Sequence, residues 1–137
     1  MKKIGLIGGI GPESTLLYYK KLTSGASKLR GHDFFPPLSI ESLNVFEVLT
    51  YCRKKDYLGL TEYIMKGINN LIAGGAELIA LTGNTPHIVF DDLQARSLVP
   101  LISIVESASC RASQEGIRKA GLLGTTFTMR EDFFKSP

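Results

Sequence analysis

The residues best suited to chemistry fall in three short segments: 8–15 (GGIGPEST), 82–87 (TGNTPH) and 124–128 (GTTFT). Each mixes glycine with Ser, Thr or Asn, which places backbone N–H groups beside small hydroxyl or amide groups. Donors of that size suit a carboxylate or another small anion, and they make no clear case for a large cofactor. His87 could exchange a proton near neutral pH. Arg53, in the stretch after a predicted strand, could pair with the distal carboxylate of a diacid, although Arg53-Lys54-Lys55 also fits a solvated charge run. Cys52 and Cys110 show neither CxxC nor Cys/His metal spacing, so both fit plain thiols rather than ligands or nucleophiles. Asp91 and Asp92 fit the polar face of a helix, and no metal site is indicated.

The first segment invites comparison with a dinucleotide fingerprint. Gly9-Ile10-Gly11 opens a GxGxxG, but Ser14 replaces the last glycine and Pro12 removes an N–H. The acidic residue expected about 20 positions later has no convincing candidate, Glu41 being the nearest at a strand end. An anion-binding loop and a purely structural tight turn remain the two readings, with nucleotide binding a third.

Short apolar runs alternate with longer helical patterns, the signature of parallel βαβ units. Strands are predicted at 3–7, 38–43, 77–82, 99–104 and 119–123, each of the first four feeding toward a helical pattern. The first helix, 14–29, offers Leu16, Leu17, Tyr19 and Leu22 as its apolar stripe, with Pro12 suited to a first-turn position. Residues 44–55 fit a loop with a short helix. Helix 57–73 carries Leu60, Ile64, Ile68, Leu71 and Ile72 at spacings of three and four and stops at Gly74-Gly75. Thr85 and Pro86 suit the cap and first position of a helix running to 96, and another helix is expected over 106–115. All three donor-rich segments then follow the carboxyl ends of strands, where ligands bind in open α/β sheets.

The fold class is therefore α/β: an open parallel four-stranded sheet flanked by helices over 1–113, then the opening strand of a second, similar α/β domain over 114–137. The last stretch, with Phe133 and Phe134 after a barely begun helix, is expected to leave apolar surface uncovered, as in a truncated domain. At 137 residues, one core could bury roughly two-thirds of the unfolded surface. The hydrophobic content of 44% and charged content of 21% exclude a disordered chain. A net charge of +3 without a basic run gives no argument for nucleic acid. No stretch approaches the roughly 18–20 apolar residues of a membrane span, and the glycine-rich start fits a buried strand and turn rather than a signal peptide. Reduced cysteines make a cytoplasmic location the default expectation.

The run GGAELIALTGNTPHIVFDDLQ resembles the aspartate/glutamate racemase family, whose first half has a Cys-Asn-Thr-x-His stretch after its third strand. GLIGGIGPEST is similar to that family's opening Gly-Gly-x-Gly-Pro loop, and GLLGTTFTM to the strand and turn that open its second half, with VPLISIVE fitting between them. These motifs occur in the family's order and together cover essentially the whole chain. The resemblance implies two similar α/β domains with the active site in the cleft between them. It also implies homodimers that interconvert enantiomers of an acidic amino acid without metal or organic cofactor. Two opposed acid/base groups, usually thiols, would flank the substrate's α-carbon, one removing the weakly acidic α-proton and the other reprotonating the opposite face.

By the same resemblance, carboxylates of a small acidic amino acid or dicarboxylate would be held by Asn84, Thr85, Thr125 and Thr126, with Ser14 and Thr15 candidates from the first loop. At the family's first cysteine position this chain has Gly83, which cannot carry a proton. The second cysteine belongs to a stretch beyond residue 137. Thr82 has a hydroxyl, but strand alternation aims it elsewhere. His87 matches a supporting histidine of the family and is the remaining candidate base. The expectation is a racemase-family chain without turnover of its own. Its rivals are a non-catalytic carboxylate binder, which Gly83 favours, and an isomerase or lyase relative relying on one cysteine further along.

Overall fold

The computed structural model describes residues 1–133, the side chain of Thr126 excepted. Four parallel strands form one sheet in the order β2-β1-β3-β4: β1 Ile4–Gly8, β2 Leu38–Ser42, β3 Leu78–Leu81 and β4 Leu101–Ile102. β1 lies inside the sheet, with Ile4 beside Leu38 on one flank and Leu78 on the other. That position explains its composition of aliphatic residues and glycine, since both faces are covered. Leu6 and Ile7 have no exposed surface.

One face of the sheet is packed by α3, Tyr57–Ala73, which buries Leu60, Thr61, Ile64, Met65, Gly67, Ile68 and Leu71. Asp56 caps its start by accepting the Gly59 N–H at 2.9 Å. Gly67 brings the helix close to the sheet: a Cβ there would stand 3.2 Å from the side chains of Glu41, Ile7 and Leu43. Ile64 and Ile68 are fully buried, and truncating either to alanine would cost about 2–5 kcal/mol. The apolar stripe expected for this helix is present, Ile72 being half-buried at its edge.

The opposite face is covered more thinly. α1, Pro12–Arg30, buries only Thr15. The expected stripe was misphased: Leu16, Leu17 and Tyr19 are 69%, 50% and 49% exposed, and Leu22 alone of the four is half-buried. The helix is turned by the hydrogen bonds of Ser14 and Thr15 to neighbouring backbone and to Thr82, so its contact line runs through 14, 15, 18 and 22. Polar anchoring in the first turn overrides the apolar count.

Other boundaries also differ from expectation. Residues 44–55 form a full helix, α2, Val45–Lys54, because the Asn44 side chain caps it from Phe46 N and Lys55 ends it in the left-handed region at φ 55°. The segment 85–96 divides into a 3-10 turn, Thr85–Val89, and α4, Phe90–Arg96, with Asn84 rather than Thr85 at the cap position. β4 keeps only two paired residues beside β3. α5, Ile104–Gln114, is capped by Ser103 and closed by Ile117 N–H bonding back to the Ala112 carbonyl. The expected strand at 119–123 is irregular: it finds no ladder partner in the sheet, and a strand without a neighbour has no backbone bonds to hold it. α6, Thr126–Arg130, follows, and Phe127 packs against the core cluster. Phe133, expected on an uncovered surface, is half-buried with its ring 6.3 Å from that of Phe127; Phe134 lies outside the described residues. No helix among the described residues is long and apolar enough to cross a membrane.

Candidate functional site

In the order β2-β1-β3-β4 the chain leaves β1 toward one edge and later returns to the other side of the same strand. The switch point of the sheet therefore lies between β1 and β3, and the crevice outside the two strand ends is where such sheets bind ligands. Segments 8–15 and 82–87 both start there, so two of the three donor-rich loops meet at one place.

The first loop is shaped by a backbone constraint. Gly9 has φ +80°, and a Cβ there would fall onto the Leu43 carbonyl oxygen, which no other residue type accommodates without movement. The turn carries Ile10 over the crevice, where it faces Gly83. Gly11 and Pro12 then open α1 without a side-chain cap. Thr15 Oγ1 accepts the Gly9 N–H at 3.1 Å and lies 3.1 Å from Thr82 Oγ1, which itself lies 3.1 Å from the Ile7 carbonyl. Ser14 Oγ donates to the Thr82 carbonyl at 2.6 Å.

Gly83 is half-buried and outside the left-handed region. A Cβ built on it would meet Ile10 Cβ and Cγ2 at 3.4 Å and Pro86 Cδ at 3.8 Å, which is ordinary van der Waals contact. The position can thus hold a side chain and has none. Asn84 stands at the cap of the 3-10 turn but does not cap with its side chain, its carbonyl taking the His87 N–H at 3.0 Å instead. Among the described residues neither the Asn84 amide group nor the Thr85 hydroxyl has a hydrogen-bond partner.

His87 is 4% exposed and stacks on Phe90 with ring centroids 5.3 Å apart. Its Nδ1 lies 3.0 Å from the Gly83 carbonyl and 3.2 Å from that of Asn84, and its Nε2 lies 3.0 Å from Ile104 N. Carbonyls only accept and the Ile104 N–H only donates, so the ring is neutral with its proton on Nδ1. Burial lowers its pKa below the ordinary 6.5, partly opposed by the two carbonyls. A ring with both nitrogens engaged by backbone has no free lone pair for a substrate proton. The geometry fits a brace between the 83–84 backbone and the start of α5. Beside it lies a depression of about 290 Å³ lined by His87, Phe90, Asp91, Ser103, Glu106 and Phe133, among others.

The remaining expected residues are dispersed. Arg53 is exposed in the last turn of α2, its Nε donating to the Leu49 carbonyl at 3.2 Å; it belongs to a helix end, where its charge is favourable, and not to a loop. Thr125 caps α6, accepting from Thr128 N at 3.3 Å and bonding Thr128 Oγ1 at 3.1 Å. Among the described residues no hydrogen bond joins Thr125 to the two switch-point loops. The side chain of Thr126 lies outside the described residues. Asp91 and Asp92 are exposed in the first turn of α4. Cys52 is buried in α2 and Cys110 exposed on α5. Burial, followed by the nearby Glu131 charge, raises the Cys52 pKa, the opposite of an activated thiol. The Thr15–Thr82 contact had no signal in the sequence beyond two hydroxyls at strand-end loops.

Residues 7–137 match the family described as Asp/Glu/hydantoin racemase. The chain is 29% identical over 135 residues to the broad specificity amino-acid racemase RacX of Bacillus subtilis (strain 168), covering 96% of this chain and 58% of that protein. A crystal structure of PH1733, an aspartate racemase homologue from Pyrococcus horikoshii OT3, superposes with TM-score 0.86 at 42% identity. A Yersinia pestis protein assigned to the Asp/Glu racemases superposes with TM-score 0.90 at 33% identity. In both, 98% of this chain aligns with 58% of the other. The chain thus spans less than two-thirds of the length of the relatives it matches.

Proposed function

The chain belongs to the Asp/Glu/hydantoin racemase family, and from that premise we propose that it forms one wall of a racemase-type site. This wall holds the carboxylate of a small acidic amino acid or dicarboxylate and supplies no proton-exchanging group. The observation that carries the reading is Gly83, an open side-chain position faced by Ile10, which the resemblance aligns with the family's first cysteine. Inversion at an α-carbon without an organic cofactor needs an acid and a base on opposite faces, and glycine can be neither.

The Asn84 amide and the Thr85 hydroxyl are the ligand donors in this reading, because the fold leaves them unengaged beside the switch point. His87 supports them by bracing the backbone. In this reading a second α/β unit of the whole protein, expected from residue 114 onward, would face this wall across the cleft, with Thr125 as its candidate donor. Homodimer assembly belongs to the same reading.

The test is a pair of measurements on the 137-residue polypeptide. Titration with L-aspartate, followed by backbone amide NMR, is expected to move the Asn84 and Thr85 signals. Incubation of L- and D-aspartate or glutamate in deuterium oxide is expected to give no protein-dependent α-deuteration. Enzyme-dependent α-deuteration would refute the absence of a base, and unchanged Asn84 and Thr85 signals would refute the binding wall.

A further inference from the structure

We infer that Ser14, Thr15 and Thr82 form a hydroxyl clamp that fixes the backbone around residue 83, and so act as positioning residues rather than as ligand donors. The inference rests on the proposed site and deepens it, by reassigning Ser14 and Thr15 from binding to placement.

Thr15 is 8% and Thr82 2% exposed, so neither hydroxyl is free to meet a ligand, and each needs its hydrogen bonds met inside the protein. The proton count is informative. Each hydroxyl has one proton, and the pair has three contacts to satisfy: Thr82 Oγ1 to the Ile7 carbonyl at 3.1 Å, Thr15 Oγ1 to the Gly11 carbonyl at 3.0 Å, and the 3.1 Å contact between them. One proton must lie between the two oxygens, or two lone pairs would face each other. The other goes to Ile7 or Gly11. In either orientation Thr15 can also accept the Gly9 N–H, and the two loops, 67 residues apart at this contact, are joined by a continuous relay.

Ser14 adds a second bolt. Its Oγ lies 2.6 Å from the Thr82 carbonyl and 3.0 Å from that of Gly11, and the shorter bond is to Thr82. That carbonyl belongs to the peptide joining 82 to 83. The next peptide is held through the Gly83 carbonyl by His87 Nδ1 at 3.0 Å. Glycine is the residue with the greatest backbone freedom, yet both peptide planes flanking Gly83 are pinned. The clamp therefore sets the direction in which position 83 faces and where Asn84 and Thr85 begin.

Per-residue amide exchange tests this on the 137-residue chain and its Thr15→Val, Thr15→Ser and Ser14→Ala variants, with α3 amides as internal reference. Thr15→Val is expected to raise exchange at Gly9, Thr82 and His87 about tenfold, in line with leaving a buried donor unpaired. Thr15→Ser keeps the hydroxyl and is expected to stay within about twofold of the parent. Ser14→Ala is expected to raise exchange at Thr82 and His87 about tenfold while leaving Gly9 unchanged. In parallel, L-aspartate binding is expected to weaken in Thr15→Val and not in Thr15→Ser. The clamp is refuted if Thr15→Val affects Gly9 alone, or if Thr15→Ser exchanges as fast as Thr15→Val. Should Thr15→Val fail to fold, Ser14→Ala decides: weaker L-aspartate binding with unchanged exchange at Thr82 and His87 would return Ser14 to the ligand. Absence of L-aspartate binding by the parent chain would sink the proposed site, whereas the exchange rates judge the clamp by themselves.

Discussion

The most direct perturbation is Gly83→Cys, which tests whether position 83 has room for a side chain facing the crevice. The added Cβ would make contacts of 3.4 Å with Ile10 and 3.8 Å with Pro86, and the backbone needs no left-handed conformation. With no clash to relieve, the main effect comes from the unfolded chain, which loses the freedom of a glycine. Such a change stabilises by about 0.4–1 kcal/mol, or a rise of about 1–4 °C in Tm for a chain of this size. Thermal melting measures that directly. Site-resolved alkylation by iodoacetamide then asks where the introduced thiol points. It should react much faster than buried Cys52, and exposed Cys110 gives the upper reference. If the thiol faces the crevice as a base, α-deuteration in deuterium oxide should appear for one enantiomer of the bound amino acid, without inversion, because only one wall has gained a proton carrier. A loss of more than about 2 kcal/mol, well outside the range for a compatible glycine site, would refute the claim of open space. A stable variant whose new thiol alkylates as slowly as Cys52 would refute the claim that the position faces the ligand.

Two further changes follow from the same geometry. His87→Ala removes the partner of Ile104 N–H and of two carbonyls, so denaturant unfolding should show a loss of about 2–4 kcal/mol. Because the folded-state pKa of His87 lies below its unfolded value of 6.5, the unfolded chain binds the proton more readily. Its contribution to stability is complete above 6.5 and is lost as pH falls through the lower folded value; a pH series of unfolding midpoints should show that acid-side slope, and His87→Gln should flatten it. Gly9→Ala forces both a positive φ and a Cβ onto the Leu43 carbonyl, and should cost at least about 3 kcal/mol or prevent folding, as judged by loss of the cooperative melt.

What could be read from the sequence followed what periodicity and local chemistry control. β1, β3 and α3 were legible because buried strands are continuous apolar runs and α3 has a clean 3.6-residue stripe, whereas β2, a partly exposed edge strand, was marked by the Gly31 and Pro36-Pro37 breaks before it. The phase of α1 was not, because hydroxyls of Ser14 and Thr15 turn the helix, and a hydropathy pattern carries no record of a bond to Thr82. Residues 44–55 hid a helix whose evidence is both a cap, the Phe46 N–H donating to Asn44 Oδ1, and a short apolar stripe through Val45, Val48 and Cys52 that the expected loop overlooked. Segment 119–123 has strand composition, but a strand exists only if a neighbour supplies the ladder. At the site, the sequence placed segments 8–15 and 82–87 after strand carboxyl ends, but their meeting depends on β1 and β3 being neighbours in the sheet, which no residue pattern states. Nor could the double engagement of His87 be read, since Ile104 lies 17 residues away.

The inner place of β1 also bears on how the chain acquires its fold. β1 precedes both its neighbours in the sequence, β2 beginning at Leu38 and β3 at Leu78. Its ladder can close fully only once residue 81 has been made. Until then the aliphatic strand is an unprotected edge, the kind of non-local pairing that slows folding and invites self-association. The order of synthesis therefore leaves the earlier-made strand waiting for β3, and refolding yield should depend on concentration through that open edge.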